Sequence, residues 1–194
     1  MYVRAARNRD ELWLLDRIEE LGLDEAAFRS RDYVIAVDEE TGDRAGFGRL
    51  RLHKTPEDGE VCELTSIGVL DGWRGQGVGA HVVERLVENA GDQGFEQVFA
   101  FVERPEPYEE LGFVRVGPDD LPEPLGERLE TKRASVAPEA EPMRLAVDAF
   151  VMPDRVREAF KAAGSEETDP EPEETPEDFG IDSETATYKY DTGR

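Results

Sequence analysis

Residues 73–80, WRGQGVGA, place glycines at 75, 77 and 79 directly ahead of Val78, Val82, Val83, Leu86, Val87 and Ala90, which recur at helical spacing. The first amides of a helix have no intrahelical partners, and the helix dipole adds partial positive charge at that end. Glycines ahead of them let backbone approach an anion closely, so the chemistry predicted here is phosphate binding. A Walker loop is excluded, because no Gly-Lys-Ser/Thr follows at the required spacing. Gly75, Gly77 and Ala80 do satisfy G-x-G-x-x-A, and Glu103 ends the next predicted strand, where a ribose-binding acid would lie. That dinucleotide motif needs a strand running into its first glycine. Here the polar turn DGWR intervenes and a hairpin comes before it, which argues against that reading.

Other reactive side chains are few. Cys62 is the one cysteine, so an intrachain disulfide is impossible and a reduced cytoplasm is the expected setting. Nothing beside Cys62 in the sequence suggests a nucleophile. With His53 and His81 the only histidines, no Cys/His metal site is expected. His53 ends a predicted strand and is expected at the surface, with a role as a base as the alternative. His81 is expected to be solvated, and Trp73 to cover the loop.

The elements that must position these groups follow from periodicity and punctuation. MYVRAA predicts a strand. Asp10 stands at an N-cap position ahead of Leu12, Leu15, Ile18 and Leu21, with Gly22 as the stop. DYVIAVDE and RAGFGRLRLH predict a hairpin around TGD, and VCELTSIGVL another strand. After the loop and its helix, EQVFAFVE predicts a strand, PEPYEELG a short helix and FVRV a strand. Residues 117–142 form a polar, proline-bearing excursion. MRLAVDAFVM predicts a strand, and PDRVREAFKAA a helix with proline at its first position. The fold class expected is α/β, a mixed, mostly antiparallel sheet flanked by helices. Residues 1–163 form the predicted domain. Residues 164–194 hold eleven acidic residues against Lys189 and Arg194, nine of the net 23 negative charges, and predict a flexible tail.

The net charge of −23 argues against nucleic acid or anionic lipid as a partner. No apolar run approaches a membrane span, and the first residues lack the apolar core of a signal peptide. Lysine occurs only at 54, 132, 161 and 189, and arginine supplies the other 19 of 23 basic residues. Many carboxylates with almost no lysine predict a salt-adapted protein, as from a halophile. Mutual repulsion is screened in concentrated salt, where the Debye length falls to about 3 Å at 1 M.

RGQGVG resembles the R/Q-x-x-G-x-G/A pattern of the GNAT family of N-acetyltransferases. The resemblance extends to YVRAARNRDELWLL, to ELTSIGVLDGWRGQGVGAHVVERLVENA and to PYEELGF, in the family's order and spacing. It covers residues 1–116 well and 117–155 loosely. It implies acetyl-CoA as co-substrate without a metal. The amides of Gly75, Gln76, Gly77, Val78, Gly79 and Ala80 would hold its pyrophosphate, with Arg74 flanking. The main chain of Ile67, Gly68 and Val69 would pair with the pantetheine arm like an added strand. The family's base falls on Glu63, eleven residues before Arg74, and its acid on Tyr108. A free glutamate titrates near 4.3, so burial is expected to raise Glu63, or a water to relay the proton. The asparagine that many relatives place ahead of Tyr108 is replaced by VERPEPY, where Arg104 is the nearest substitute.

The resemblance implies a small-molecule or peptide amine as acceptor, and leaves a homodimer open. The excursion looks loosely like the leucine-proline segment of small N-acetylglutamate-synthase-like members. Arg128, Lys132 and Arg133 there, with Arg49 and Arg51, are candidates to meet an acidic acceptor such as glutamate. The alternative is a catalytically silent acyl-CoA-binding module.

Overall fold

The structure, a computed structural model, describes residues 1–57 and 59–164. Seven strands form one sheet: β1 (Tyr2–Ala5), β2 (Tyr33–Val37), β3 (Arg44–Lys54), β4 (Glu60–Val69), β5 (Gln97–Val102), β6 (Val114–Arg115) and β7 (Glu141–Ala146). Their order is β1-β2-β3-β4-β5-β7-β6. Every neighbouring pair is antiparallel except the central one, β4 with β5. The predicted mixed, mostly antiparallel sheet is therefore present. The tail predicted from residue 164 onward lies outside the described residues beyond Gly164.

Helices cover both faces of the sheet. Helix α2 (Val78–Asp92) buries the apolar positions named above against Val34, Leu50, Cys62, Leu64 and Val98. Burying each such side chain stabilises the fold by about 1.5–3 kcal/mol. The helix lies very close to β3, because a Cβ on Gly48 would stand 2.6 Å from a Val82 methyl. On the other face, α1 (Glu11–Glu20) packs Leu14 and Ile18 against Tyr33, Ile35 and Phe47. Asp10 makes no side-chain cap on α1, contrary to expectation. Its carboxylate is buried, accepts the Arg7 amide, and pairs with Arg4 at 2.7 Å and Arg44 at 3.0 Å.

The excursion is largely helical. Helix α4 (Glu123–Ser135) lies against β5, with Leu125 and Leu129 packed on Phe99 and Phe101. Two further helices complete the fold, α3 (Glu106–Glu109) and α5 (Asp154–Lys161). Pro153 precedes α5 as its N-cap, one position earlier than predicted.

Candidate active site

The centre of the sheet is split. Strands β4 and β5 pair only at Glu63 with Phe99 and at Leu64 with Ala100. Beyond Leu64 the strands part, so the edge of β4 from Thr65 to Val69 faces no ladder partner on β5. The cause lies in β4. Between Phe47 and Arg49, β3 advances two residues while β4 advances three, from Gly68 to Thr65. The extra residue makes a bulge, and Ser66 adopts a left-handed φ of 49°. Its hydroxyl donates to the Asp24 carbonyl at 2.6 Å, which holds the bulge to the loop after α1. Ile67, Gly68 and Val69 thus stand at the open side of the split.

At the mouth of the split, residues 71–77 lead into α2. Gly75 and Gly77 have φ of 76° and 77°, a conformation costly for other residues. Small residues here are expected for phosphate clearance, but the backbone conformation already demands glycine at both. A Cβ on Gly77 would also stand 2.5 Å from the Val156 carbonyl of α5. The helical ladder begins with the His81 amide donating to the Gly77 carbonyl. The amides of Val78, Gly79 and Ala80 are therefore the free donors of this helix start. The exposed Arg74 donates to the Val69 carbonyl at 3.3 Å and pairs with Asp71 at 3.2 Å. Gln76 donates to the Gly72 carbonyl and accepts the Gly164 amide. Trp73 is buried in the core under the loop.

His81 is not solvated. It is buried, its Nδ1–H donates to the Gly77 carbonyl at 3.0 Å, and its ring stacks on Phe160 at 3.8 Å. Cys62 is fully buried, and burial pushes its thiol up to about 12, which removes it as a nucleophile at neutral pH.

Where the split closes, charged side chains gather on the face shared by α1 and α4. Register puts Arg49, Arg51 and His53 of β3 opposite Thr65, Glu63 and Val61 of β4, on one face. Glu63 is fully buried and accepts four contacts from cations or imidazole. His53 Nε2 lies at 2.7 Å, Arg128 Nε at 3.0 Å, Arg128 Nη2 at 3.2 Å and Lys132 Nζ at 3.8 Å. Burial alone would raise its pKa. The hydrogen bonds from His53 and Arg128 and the charges of Lys132 and Arg128 outweigh that and hold it down to about 2. The expectation that burial raises Glu63 is overturned. His53 is correspondingly no surface residue, since its side chain is only 11% exposed. A carboxylate can only accept here, so Nε2 carries the proton toward Glu63.

Arg128 also pairs with Asp24. Arg51 lies 4.0 Å from Asp24, and its buried Nη1 has no hydrogen-bond partner among the described residues. Arg49 is held separately, by Asp32 at 3.1 Å and the Ala26 carbonyl at 2.8 Å. Arg133 does not join the group and donates instead to the Ala140 carbonyl. The cluster thus sets three cations, Arg51, Arg128 and Lys132, against two carboxylates, Asp24 and Glu63.

Tyr108 follows β5 on α3 and packs edge-on to Phe113, with ring centroids 5.3 Å apart. Burial pushes its hydroxyl up to about 12, so it holds its proton through neutral pH. Arg104 is exposed beside it. No group of three or more His, Cys, Asp or Glu side chains among the described residues is arranged to hold a metal.

Sequence comparison matches residues 3–113 to the Acetyltransferase (GNAT) family, and the chain belongs to that family. Among solved structures, N-acetylglutamate synthase from Neisseria gonorrhoeae, complexed with coenzyme A and N-acetyl-glutamate, is similar at a TM-score of 0.60 and 18% identity. The match covers 75% of this chain and 34% of that one, so this chain spans about a third of the synthase's length. Rv2747 from Mycobacterium tuberculosis, in complex with CoA and NLQ, is similar at 0.59 and 19% identity, over 75% of this chain and 99% of that one. An acetyltransferase of the GNAT family from Staphylococcus aureus gives 0.50 and 11%, over 75% and 98%. At these identities the likeness establishes the fold.

Two parts of the site carry no local signal in the sequence. Asp24 follows a helix stop and carries no motif. The bulge at Ser66 interrupts an unremarkable strand pattern. A third was half seen: Arg128 and Lys132 were named, but on an excursion rather than on one buried face of a helix.

Proposed function

We propose that this GNAT protein transfers the acetyl group of acetyl-CoA to the primary amine of a small acceptor that also carries a carboxylate, such as an amino acid. One observation carries the choice of acceptor. In a chain of net charge −23, the group closing the split holds more cations than carboxylates, and a buried Arg51 N–H lacks a hydrogen-bond partner among the described residues. A desolvated cation excess of this kind favours an anion and disfavours a polyamine.

The free amides of Val78, Gly79 and Ala80, with those of Gly75, Gln76 and Gly77, seat the pyrophosphate, and Arg74 turns from Asp71 to flank it. The unpaired edge at Ile67, Gly68 and Val69 receives the pantetheine arm. An amide in that bulged stretch polarises the thioester carbonyl. Arg128 and Arg51 take the acceptor carboxylate. Drawing Arg128 away removes one of the partners that hold Glu63 down, so its proton affinity rises when an amine is present to be deprotonated. Glu63 then accepts the amine proton, directly or through a water. Tyr108 protonates the departing thiolate. A positioned base of this kind is typically worth roughly 10²- to 10⁴-fold.

The test is acetyl-CoA-dependent thiol release with matched acceptors in molar KCl. Amino acids, glutamate among them, should turn over. Their carboxyl-amidated forms should lose most of kcat/KM. Spermidine turning over as well as glutamate would refute the acceptor assignment.

A further inference from the structure

Lys132 occupies an unusual place for a lysine. Its side chain is 9% exposed, and its Nζ donates to the Thr65 hydroxyl at 3.2 Å, with Glu63 at 3.8 Å. Thr65 is the first β4 residue past the last β4–β5 pair, so Nζ stands at the closed end of the split. An arm entering from the loop at residues 75–80 passes Val69, Gly68 and Ile67 in turn. Its reactive end must then stop where the strands rejoin, at Thr65. An acetyl-CoA seated as proposed above would therefore end its thioester near the Lys132 amine, with the Glu63 carboxylate 3.8 Å from Nζ.

We propose that Lys132 is a self-acetylation site: without an acceptor, its Nζ takes the acetyl group from bound acetyl-CoA in cis. This rests on the acetyl-CoA seat proposed above. The Nζ lone pair attacks the thioester carbonyl carbon, so an N–C bond forms and the C–S bond breaks. The amine proton passes to Glu63, and the thiolate leaves as the CoA thiol with a proton from Tyr108. Only acetyl-CoA is consumed.

The surroundings ease loss of the ammonium proton that must precede attack. Burial and the neighbouring Arg128 and Arg51 lower the pKa of Lys132, against the opposing pull of Glu63 and Asp24. The polar groups around it are Arg51 from β3, Glu63 and Thr65 from β4, Asp24 from the loop after α1, and Arg128 from its own helix. Acetylation removes one cation from the acceptor cluster and fills the amine's position. The modified enzyme is thus closed to its acceptor, and the reaction stops after one turnover per chain.

The small number of lysines makes the test direct. The chain has four, at 54, 132, 161 and 189. Non-enzymatic acetylation follows exposure, and should favour Lys161, whose side chain is 62% exposed, over Lys132. Folded protein would be incubated with acetyl-CoA in molar KCl without acceptor, then analysed by intact mass and peptide mapping. The expected result is one acetyl group on Lys132, with one CoA thiol released per chain. Labelling there should exceed that in unfolded protein by a factor on the order of 10². Lys132→Arg should lose this first site. Gly75→Asp should lose it too, while Lys161 still reacts with acetic anhydride. Saturable acetyl-CoA binding by calorimetry, with label only on exposed lysines or none at all, would overturn self-acetylation and leave the seat standing. Failure of the folded protein to bind acetyl-CoA would overturn both.

Discussion

Glu63 and Arg128, 65 residues apart in the chain, meet through two hydrogen bonds of 3.0 and 3.2 Å in a buried setting. The contact ties the central strand to the helix of the excursion. Removing one member leaves a buried charge without its partner, which typically costs about 3–5 kcal/mol. Glu63→Gln and Arg128→Gln should each destabilise the protein on that scale. The double variant should lose less than the sum, measured by denaturant unfolding as a double-mutant cycle.

The same carboxylate makes stability depend on acid. Its folded pKa is held to about 2 by His53, Arg128 and Lys132, below the ordinary value of 4.5. Above 4.5 its full contribution is present, and it is lost as pH falls toward 2. Asp10, lowered mainly by Arg4, acts in the same direction. Wild-type unfolding free energy should fall through this window, and Glu63→Gln should flatten part of the slope. An unchanged slope would show that Glu63 is not the group responsible.

Tyr108→Phe keeps the edge-on packing against Phe113 and removes the hydroxyl. We expect kcat to drop by a factor on the order of 10² with little change in KM for acetyl-CoA, as for loss of a general acid. Steady-state thiol release measures both. Equal turnover would leave Tyr108 a packing residue.

A carboxylate placed at the loop should repel the pyrophosphate. A Cβ on Gly75 meets nothing within 4 Å, and aspartate and asparagine tolerate its left-handed backbone better than most residues. Gly75→Asp should therefore weaken acetyl-CoA binding far more than Gly75→Asn does. Calorimetry on the pair separates charge from backbone strain.

The acidic composition is itself testable, and we expect salt adaptation. The melting temperature should rise steeply from dilute buffer to molar KCl as repulsion among the carboxylates is screened. A flat profile would sink this expectation.

Much of the fold was legible because periodicity and punctuation agree. The apolar face of α2, the hairpin about TGD and the glycine loop carry local signals that packing merely confirms. Helix α4 was hidden for a physical reason. Two of its buried positions, 128 and 132, are an arginine and a lysine, and Pro124 and Gly126 lie in its first turn. Its amphipathic stripe is completed by ion pairs with Asp24 and Glu63, which no local pattern reveals. The acidity of Glu63 and the burial of His53 and His81 depend likewise on partners distant in sequence, Arg128 and Phe160 among them.

The β4–β5 split gives the protein a further property. Apart from the two ladder pairs at Glu63 and Leu64, nothing in the sheet bridges its first four strands to its last three. A molecule lodged in that gap fastens the two halves, and binding to the native state alone stabilises by RT ln(1 + [L]/Kd), about 2.7 kcal/mol at a hundredfold excess over Kd. If acetyl-CoA seats there as proposed, the thermal midpoint of the protein should rise with acetyl-CoA concentration.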